Sequence, residues 1–321
     1  MPDNLTKPIA MVGAGPMAEA YVPVLQSLKL PFVVIGRGME SAATFKSKTG
    51  VTVHLGGIKR YLQSNGVPSH AIVATGMEML EPCTIELIEA GCNSILLEKP
   101  GAINLQGLDH IQQASTATGT GITIAYNRRY YTSVRQARDI IEADGGLRAV
   151  YFEFTEWGHL IASLQKGEGV KEHWFLANST HVVDLAFHLA GLPQDWKAYT
   201  SGSIDWHPSA SRFVGSGVTE KGVLFNYGAD WEAPGRWGLE LLTSKRRLIL
   251  RPMEQLQVQL KGSVAIEPIE AADSLDKDFK PGLCAQVDSW IKNDKKWACT
   301  LEEHLKAMPV YEQMANYTEI N

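Results

Sequence analysis

A lysine at the end of an apolar run is the first residue here whose setting could make it reactive. It stands in Leu97-Glu98-Lys99-Pro100, directly after the run that starts at Ser94. A buried strand ending there delivers the Lys99 amine to the crevice where open α/β sheets bind ligands. Partial desolvation lowers a lysine pKa, so such an amine exchanges a proton near neutral pH. Pro100 removes a backbone N–H and keeps Lys99 extended. The plainer alternative is a loop ion pair between Glu98 and Lys99. His181, Asp184 and His188 form a second group. They lie three and four residues apart, on roughly one helical face. Such spacing can hold a metal, but no further ligand is in evidence, so none is expected. His188 reads as a satisfied helix histidine.

Gly13-Ala14-Gly15-Pro16-Met17-Ala18 has the form G-x-G-x-x-A, follows an apolar run and opens a helical pattern. The first glycine allows the tight turn, the second lets backbone approach a pyrophosphate, and Ala18 lets helix and strand pack closely. Free N–H groups at the helix start favour the phosphate charge. Gly13, Ala14, Gly15, Pro16 and Met17 are therefore assigned to a dinucleotide. The next apolar run ends in Ile35-Gly36-Arg37-Gly38, with no carboxylate for the adenosine ribose of NAD. An arginine at Arg37 suits a 2′-phosphate, which favours NADP over NAD.

These residues need a scaffold, and the first third of the chain alternates short apolar runs with helical patterns. Strands are expected at Ile9 to Val12, Phe32 to Ile35, Val51 to Val53, Ala71 to Ala74, Ser94 to Leu97 and Ile122 to Ala125. Helices are expected at Met17 to Leu28 with a kink at Pro23, Ser41 to Lys48, Pro82 to Ala90 with Pro82 in the first turn, and Leu105 to Ala117. Alternation of this kind implies a parallel sheet with helices on both faces. Continuous apolar strands fit a sheet buried on both sides. After about residue 148 the pattern changes to period two, as in Val150 to Thr155, Gly222 to Tyr227, Leu239 to Thr243 and Leu256 to Leu260. Lys245-Arg246-Arg247 reads as a hairpin turn before Leu248 to Leu250. A helix from His181 to Ala190 interrupts the strands, and two helices close the chain. The fold class is thus an α/β Rossmann domain, residues 1–125, followed by an α+β domain, residues 126–321, with an open and largely antiparallel sheet.

The glycine turn, Ala74-Thr75, Glu98-Lys99-Pro100, Tyr126-Asn127-Arg128-Arg129-Tyr130 and Phe279-Lys280-Pro281-Gly282 together resemble the Gfo/Idh/MocA oxidoreductase family. The resemblance implies a Rossmann domain, an open-sheet second domain, NAD or NADP, and sugars, sugar derivatives or cyclitols as substrates. It places Lys99 against nicotinamide and substrate hydroxyl, and adds Gly36, Ala74, Thr75 and Glu98 to the cofactor residues. It makes His181 the second catalytic residue. The family carries an Asp four residues before that His, where this chain has Ala177, with Asn178 the nearest polar residue. His181 then inherits the acid/base role alone or shares it with Lys99; its ordinary pKa suits the task. The chain also has Gly76-Met77-Glu78-Met79-Leu80 where the family usually has Pro and His, a less polar floor for the cofactor pocket.

Aromatic residues concentrate at Trp157, Trp174 and Asp230-Trp231-Glu232-Ala233-Pro234-Gly235-Arg236-Trp237. Flat rings beside arginines suit stacking on sugar rings and fixing hydroxyls or a phosphate. Arg128, Tyr130, Asn178, Trp231 and Arg236 are the expected substrate contacts; Trp206, Trp290 and Trp297 are expected to pack. A formal net charge of -5 argues against nucleic acid as partner. The four cysteines lack C-x-x-C spacing, which argues against zinc or dithiol chemistry. No apolar run is long enough for a bilayer, and the first eight residues do not resemble a signal peptide. The expectation is a cytoplasmic homodimer or homotetramer whose open sheet is covered by a second copy. It would act as an NAD(P)-dependent dehydrogenase or reductase on CH–OH groups of a sugar-like substrate. Alternatives are a non-catalytic cofactor sensor on the same fold, or a reductase of a non-sugar carbonyl.

Overall fold

Short, uninterrupted apolar runs build the first sheet, because a strand covered on both faces needs no polar side. In the computed structural model, which describes residues 7–317, these are β1 (Ile9–Val12), β2 (Phe32–Gly36), β3 (Val53–Leu55), β4 (His70–Val73), β5 (Ser94–Leu97) and β6 (Gly121–Ile124). They pair in parallel in the order β6-β5-β4-β1-β2-β3. The order reverses between β1 and β4, the switch point at which such sheets bind ligands. The intervening helices are α1 (Pro16–Ser27), α2 (Met39–Thr49), α3 (Gly57–Asn65), α4 (Met77–Glu89) and α5 (Leu105–Thr118).

The chain divides into two compact units. The first is residues 1–126 with 278–306, and the second is 127–277 with 307–321. A single division at residue 125 does not capture the return of 278–306. The reason is local packing. α10 (Leu283–Ile291) places Leu283, Val287 and Trp290 in the first unit's core, and β15 (Cys299–Thr300) pairs antiparallel with the edge strand β6.

The second unit is built on an eight-stranded sheet ordered β14-β13-β12-β11-β7-β10-β9-β8. Its strands are β7 (Ala149–Glu153), β8 (Pro193–Ser201), β9 (Arg212–Thr219), β10 (Leu224–Asp230), β11 (Gly238–Leu242), β12 (Arg246–Leu250), β13 (Leu256–Leu260) and β14 (Glu267–Ile269). Only β7 and β10 pair in parallel; all other neighbours are antiparallel. Alternation buries Val150, Phe152, Leu239 and Leu241 against α8 (Thr180–Ala190), leaving Tyr151 and Glu240 on the other face. A hairpin turn joins β11 to β12, but it is made by residues 243–245, and Arg246 and Arg247 belong to β12, where their strand pairing outweighs turn formation. Arg246 pairs with the buried Asp144 at 2.8 Å. Also in this unit are α6 (Thr132–Ala143), α7 (Gly158–Ala162), α9 (Ser274–Asp278, whose last residue falls in the first unit) and the end of α11 (Leu301–Ala315).

One helix differs from the sequence reading. α4 starts at Met77, so Pro82 lies inside it rather than in its first turn. The lost N–H costs one helical bond. Burial of Met77 and Leu80 on the same face as Cys83, Leu87 and Ile88 outweighs it. α1 contains Pro23 as expected. Gly91 ends α4 as expected, with φ of 95° and Cys92 N–H returning to the Leu87 carbonyl. No helix among the described residues is long and apolar enough to cross a membrane. Residues 1–6, on which the expectation about a signal peptide mostly falls, lie outside the described residues.

Candidate active site

In the first unit the carboxyl ends of β1, β4 and β5, neighbours in the sheet, bring three motifs side by side. Gly13 follows β1, Ala74-Thr75 follows β4, and Glu98-Lys99 follows β5. Gly13 has φ of 122°, and a Cβ there would strike the Ala74 carbonyl. Its glycine is thus a requirement of the protein's own turn. Gly15 differs: its φ is -104°, and an added Cβ would meet nothing within 4 Å. No feature of the chain requires a glycine at that point, whereas a closely approaching ligand would. Gly15 caps α1 with no side chain of its own to bond the N–H groups of the first turn. Those groups and the helix dipole fit a pyrophosphate.

Both neighbours of Lys99 are pinned. The buried Tyr21 hydroxyl of α1 donates to the Glu98 carboxylate at 2.8 Å. Burial, reinforced by the Glu98 charge and hydrogen bond, holds the Tyr21 pKa well above its ordinary value. His304 Nε2, in the first turn of α11, donates to the Pro100 carbonyl at 2.9 Å. The Lys99–Pro100 peptide is cis and Lys99 itself is half-buried. Tyr21 and His304 lie far from the motif in sequence, and nothing at the sequence level marked them. Arg37 is exposed just past β2, its aliphatic part beside Gly57 at the start of α3.

In the second unit, a π-helical turn, Phe175–Ser179, leads into α8 and delivers His181. Such turns recur at functional sites. Its anchor is Glu156, a buried carboxylate just past β7 that the sequence reading passed over. Glu156 accepts the Asn178 amide at 2.9 and 3.1 Å and the Ser179 hydroxyl at 2.9 Å. Its only sequence signal was an acid closing a period-two strand. The half-buried His181 ring lies 6.1 Å from the Trp237 ring. Arg128 stacks over Trp237 at 4.8 Å, and Arg236 at 5.2 Å. Arg236 also lies over Trp157 at 4.9 Å. His181, Asn178, Arg128 and Arg236 are thus brought into one neighbourhood, with Trp237 at its centre.

Trp231 and Tyr130 are placed elsewhere. Trp231 is 1% exposed and stacks on Trp206 and His207. With Gly158, His159, Asp205, Trp206 and Glu232 it lines a cavity of about 700 Å³ that His181 and Arg128 do not border. Tyr130 is buried near Arg138 of α6. Asp184 gives both carboxylate oxygens to the buried Arg129, at 2.6 and 2.8 Å. The pair occupies the group that a metal would need. Burial, followed by the charges of Arg129, Arg138 and Lys221, pushes His188 down to about 2. It stays neutral, as a satisfied helix histidine does.

Residues 7–126 match the family model described as "Oxidoreductase family, NAD-binding Rossmann fold", GFO_IDH_MocA. No curated protein matches the chain by sequence. Solved structures match over nearly its whole length. UDP-N-acetylglucosamine 3-dehydrogenase GnnA from Acidithiobacillus ferrooxidans is 14% identical over 95% of both chains, with a TM-score of 0.74. Levoglucosan dehydrogenase in complex with NADH and L-sorbose is 16% identical over 97% of both, at 0.76. An oxidoreductase from Agrobacterium radiobacter in complex with NAD+, L-tartaric acid and magnesium is 12% identical over 98% of this chain and 97% of its own, at 0.80. At these identities the likeness establishes the fold of both units. The glycine turn at the switch point and the Glu98-Lys99-Pro100 run beside it sit within the matched span, and residues 7–126 accordingly carry an NAD-binding Rossmann fold.

Proposed function

We propose that the protein is an NAD(P)-dependent dehydrogenase or reductase acting on a CH–OH group of a sugar-like substrate. The observation that carries this is the adjacency of Gly13, Ala74-Thr75 and Glu98-Lys99 at the ends of three neighbouring strands. It joins a pyrophosphate turn to a pinned lysine. Gly13 to Met17 would hold the pyrophosphate, and Gly36, Arg37, Ala74, Thr75 and Glu98 would line the rest of the cofactor. When bound, the nicotinamide supplies the acceptor or donor of a hydride. Lys99 would polarise the substrate hydroxyl, and His181 would take up or relay its proton. Asn178, its amide oriented by Glu156, Arg128 and Arg236 would contact the substrate. The named sugar dehydrogenases among the structural neighbours support the substrate class.

NADP is the preferred cofactor in this reading, because Arg37 stands where NAD enzymes place a carboxylate. Arg37→Ala should lower kcat/KM for NADP at least about tenfold, the loss of one charge-assisted contact, and leave NAD nearly unchanged. Turnover of a sugar panel, lost in Lys99→Ala, tests the reading as a whole. Cofactor binding with no turnover would instead favour a sensor, the reading that Ala177 motivates. A cytoplasmic homo-oligomer completes the proposal. Tyr199 and Val214, paired across β8 and β9, are 67% and 54% exposed on the open sheet. A covering copy would bury them; light scattering showing a monomer would refute it.

A further inference from the structure

Arg128 and Arg236 are distinguished by the ring they share. Arg129, Arg246, Arg247 and Arg251 each form an ion pair with a carboxylate. Arg128 and Arg236 both lie over the Trp237 indole instead, and among the described residues neither is paired with a carboxylate; Arg128 Nη1 donates one long bond, 3.4 Å, to the Asn127 side-chain oxygen. The acids around them are also engaged elsewhere. Glu156 is taken by Asn178 and Ser179, and Glu254 acts on Tyr131 as well as on Arg128. Glu153 accepts the Arg236 backbone N–H with one oxygen and pairs with Arg251 through the other. Burial and then the neighbouring Arg236 charge act against the Arg128 cation, with Tyr131, Glu254 and Glu156 opposing them. Stacking fixes each guanidinium plane while leaving its N–H edges to donate. Two cations held on one ring repel, and a shared oxyanion removes that cost.

We infer that the substrate carries an anionic group, a carboxylate or phosphate on its sugar-like frame, received by Arg128 and Arg236 around Trp237. The same ring lies beside His181, so the anion would orient the substrate next to the proposed proton relay. This inference rests on the dehydrogenase reading above and narrows its substrate class. Neutral sugars would offer the two guanidinium groups no charged acceptor and be discriminated against.

The test uses the full chain with saturating NADP or NAD. Matched sets are compared: neutral hexoses, the corresponding uronates and aldonates, and the hexose phosphates. Turnover is read where it occurs, and binding by calorimetry for every compound. The expected result is preference for one anionic series, uronates and aldonates marking a carboxylate and hexose phosphates a phosphate. Arg128→Met and Arg236→Met should each weaken that series roughly ten- to a hundredfold in KM or Kd. Cofactor affinity should not change, Arg128→Lys should restore part of the loss, and added salt should weaken binding. Neutral sugars handled as well as anionic ones, with Arg128→Met unchanged, would overturn the anion while keeping the dehydrogenase. Anions bound in an Arg128-dependent way without turnover would overturn the dehydrogenase while keeping the anion site. No anion binding above that of neutral sugars would overturn the anion site.

Discussion

Alanine at Gly13 and alanine at Gly15 should behave oppositely in the protein and alike toward the cofactor. At Gly13 the backbone has φ of 122°, and a Cβ would lie 2.7 Å from the Ala74 carbonyl carbon. Strain and overpacking together should cost about 2 to 6 kcal/mol. At Gly15 the backbone suits alanine and no atom lies within 4 Å of the added carbon. Stability there should stay within about 1 kcal/mol of wild type. The added methyl would instead meet the pyrophosphate. Cofactor at a hundred times its Kd stabilises a protein by about 2.7 kcal/mol, and tenfold weaker binding leaves about 1.4. In a thermal melt this is a ligand-induced rise of about 5 to 11 °C in wild type, at least halved in Gly15→Ala. Differential scanning fluorimetry of both variants with and without NADP and NAD reads both effects. A Gly15→Ala protein that binds cofactor like wild type would refute the assignment of that glycine to a ligand. One that melts early would refute the open space around it.

Three further outcomes follow from the second unit. Asp184→Ala should lose about 3 to 5 kcal/mol in urea unfolding, because it strips the buried Arg129 of its bidentate carboxylate; Arg129→Met/Asp184→Leu should recover much of that, and simple additivity would contradict the pairing. Burial pushes His207 down to about 4 from an ordinary 6.5, so its contribution to stability is full above pH 6.5 and is lost as pH falls toward 4. Each pH unit in that window removes up to about 1.4 kcal/mol, and a His207→Gln protein whose urea midpoint falls as steeply as wild type from pH 7 to 5 would contradict it. Glu156→Gln should keep the cofactor affinity but lower kcat with a shifted pH profile, since it removes the carboxylate that orients Asn178 ahead of His181; an unchanged profile would separate Glu156 from the chemistry.

Much of the first unit was legible because local and global demands agree there. β1, β4 and β5 are apolar apart from His70 and Ser94 at their starts, and a motif follows directly after each. α3 escaped notice because it is short and polar, buries only Ile58 and lacks a side-chain cap. β8 and β9 escaped for a different reason. Gly215 and Gly217 interrupt the strand pattern of β9, yet a Cβ at Gly215 would press on the Tyr227 ring, and one at Gly217 on Trp196. These glycines mark close packing within the sheet rather than a turn. α6 (Thr132–Ala143) was also passed over, although its apolar face packs on β12 and β13. Pairings across long separations, such as Tyr21 with Glu98 and Arg129 with Asp184, are fixed only by the fold.

Ala177, where the resemblance implies an Asp, looks different once the turn around it is in view. Read along the chain, the carboxylate expected four residues before His181 is missing and only an amide, Asn178, stands nearby. Read in space, a carboxylate is present, supplied by Glu156 from beyond β7 and bonded to the two residues that follow Ala177. It is 2% exposed, and a carboxylate so buried is tolerated when it is fully hydrogen-bonded. Asn178 and Ser179 provide those bonds, and in doing so lock the π-helical turn that sets the start of α8. The same carboxylate lies within electrostatic reach of Arg128. The turn, the acid and the two stacked arginines therefore form one connected polar group around Trp237. Ala177 in place of the expected Asp leaves the helix entrance one negative charge short without emptying the neighbourhood of charge. An anionic substrate suits that balance better than a neutral one, because Arg128 and Arg236 bring two cations to one ring and Glu156, whose charge reaches Arg128, is already bonded to Asn178 and Ser179.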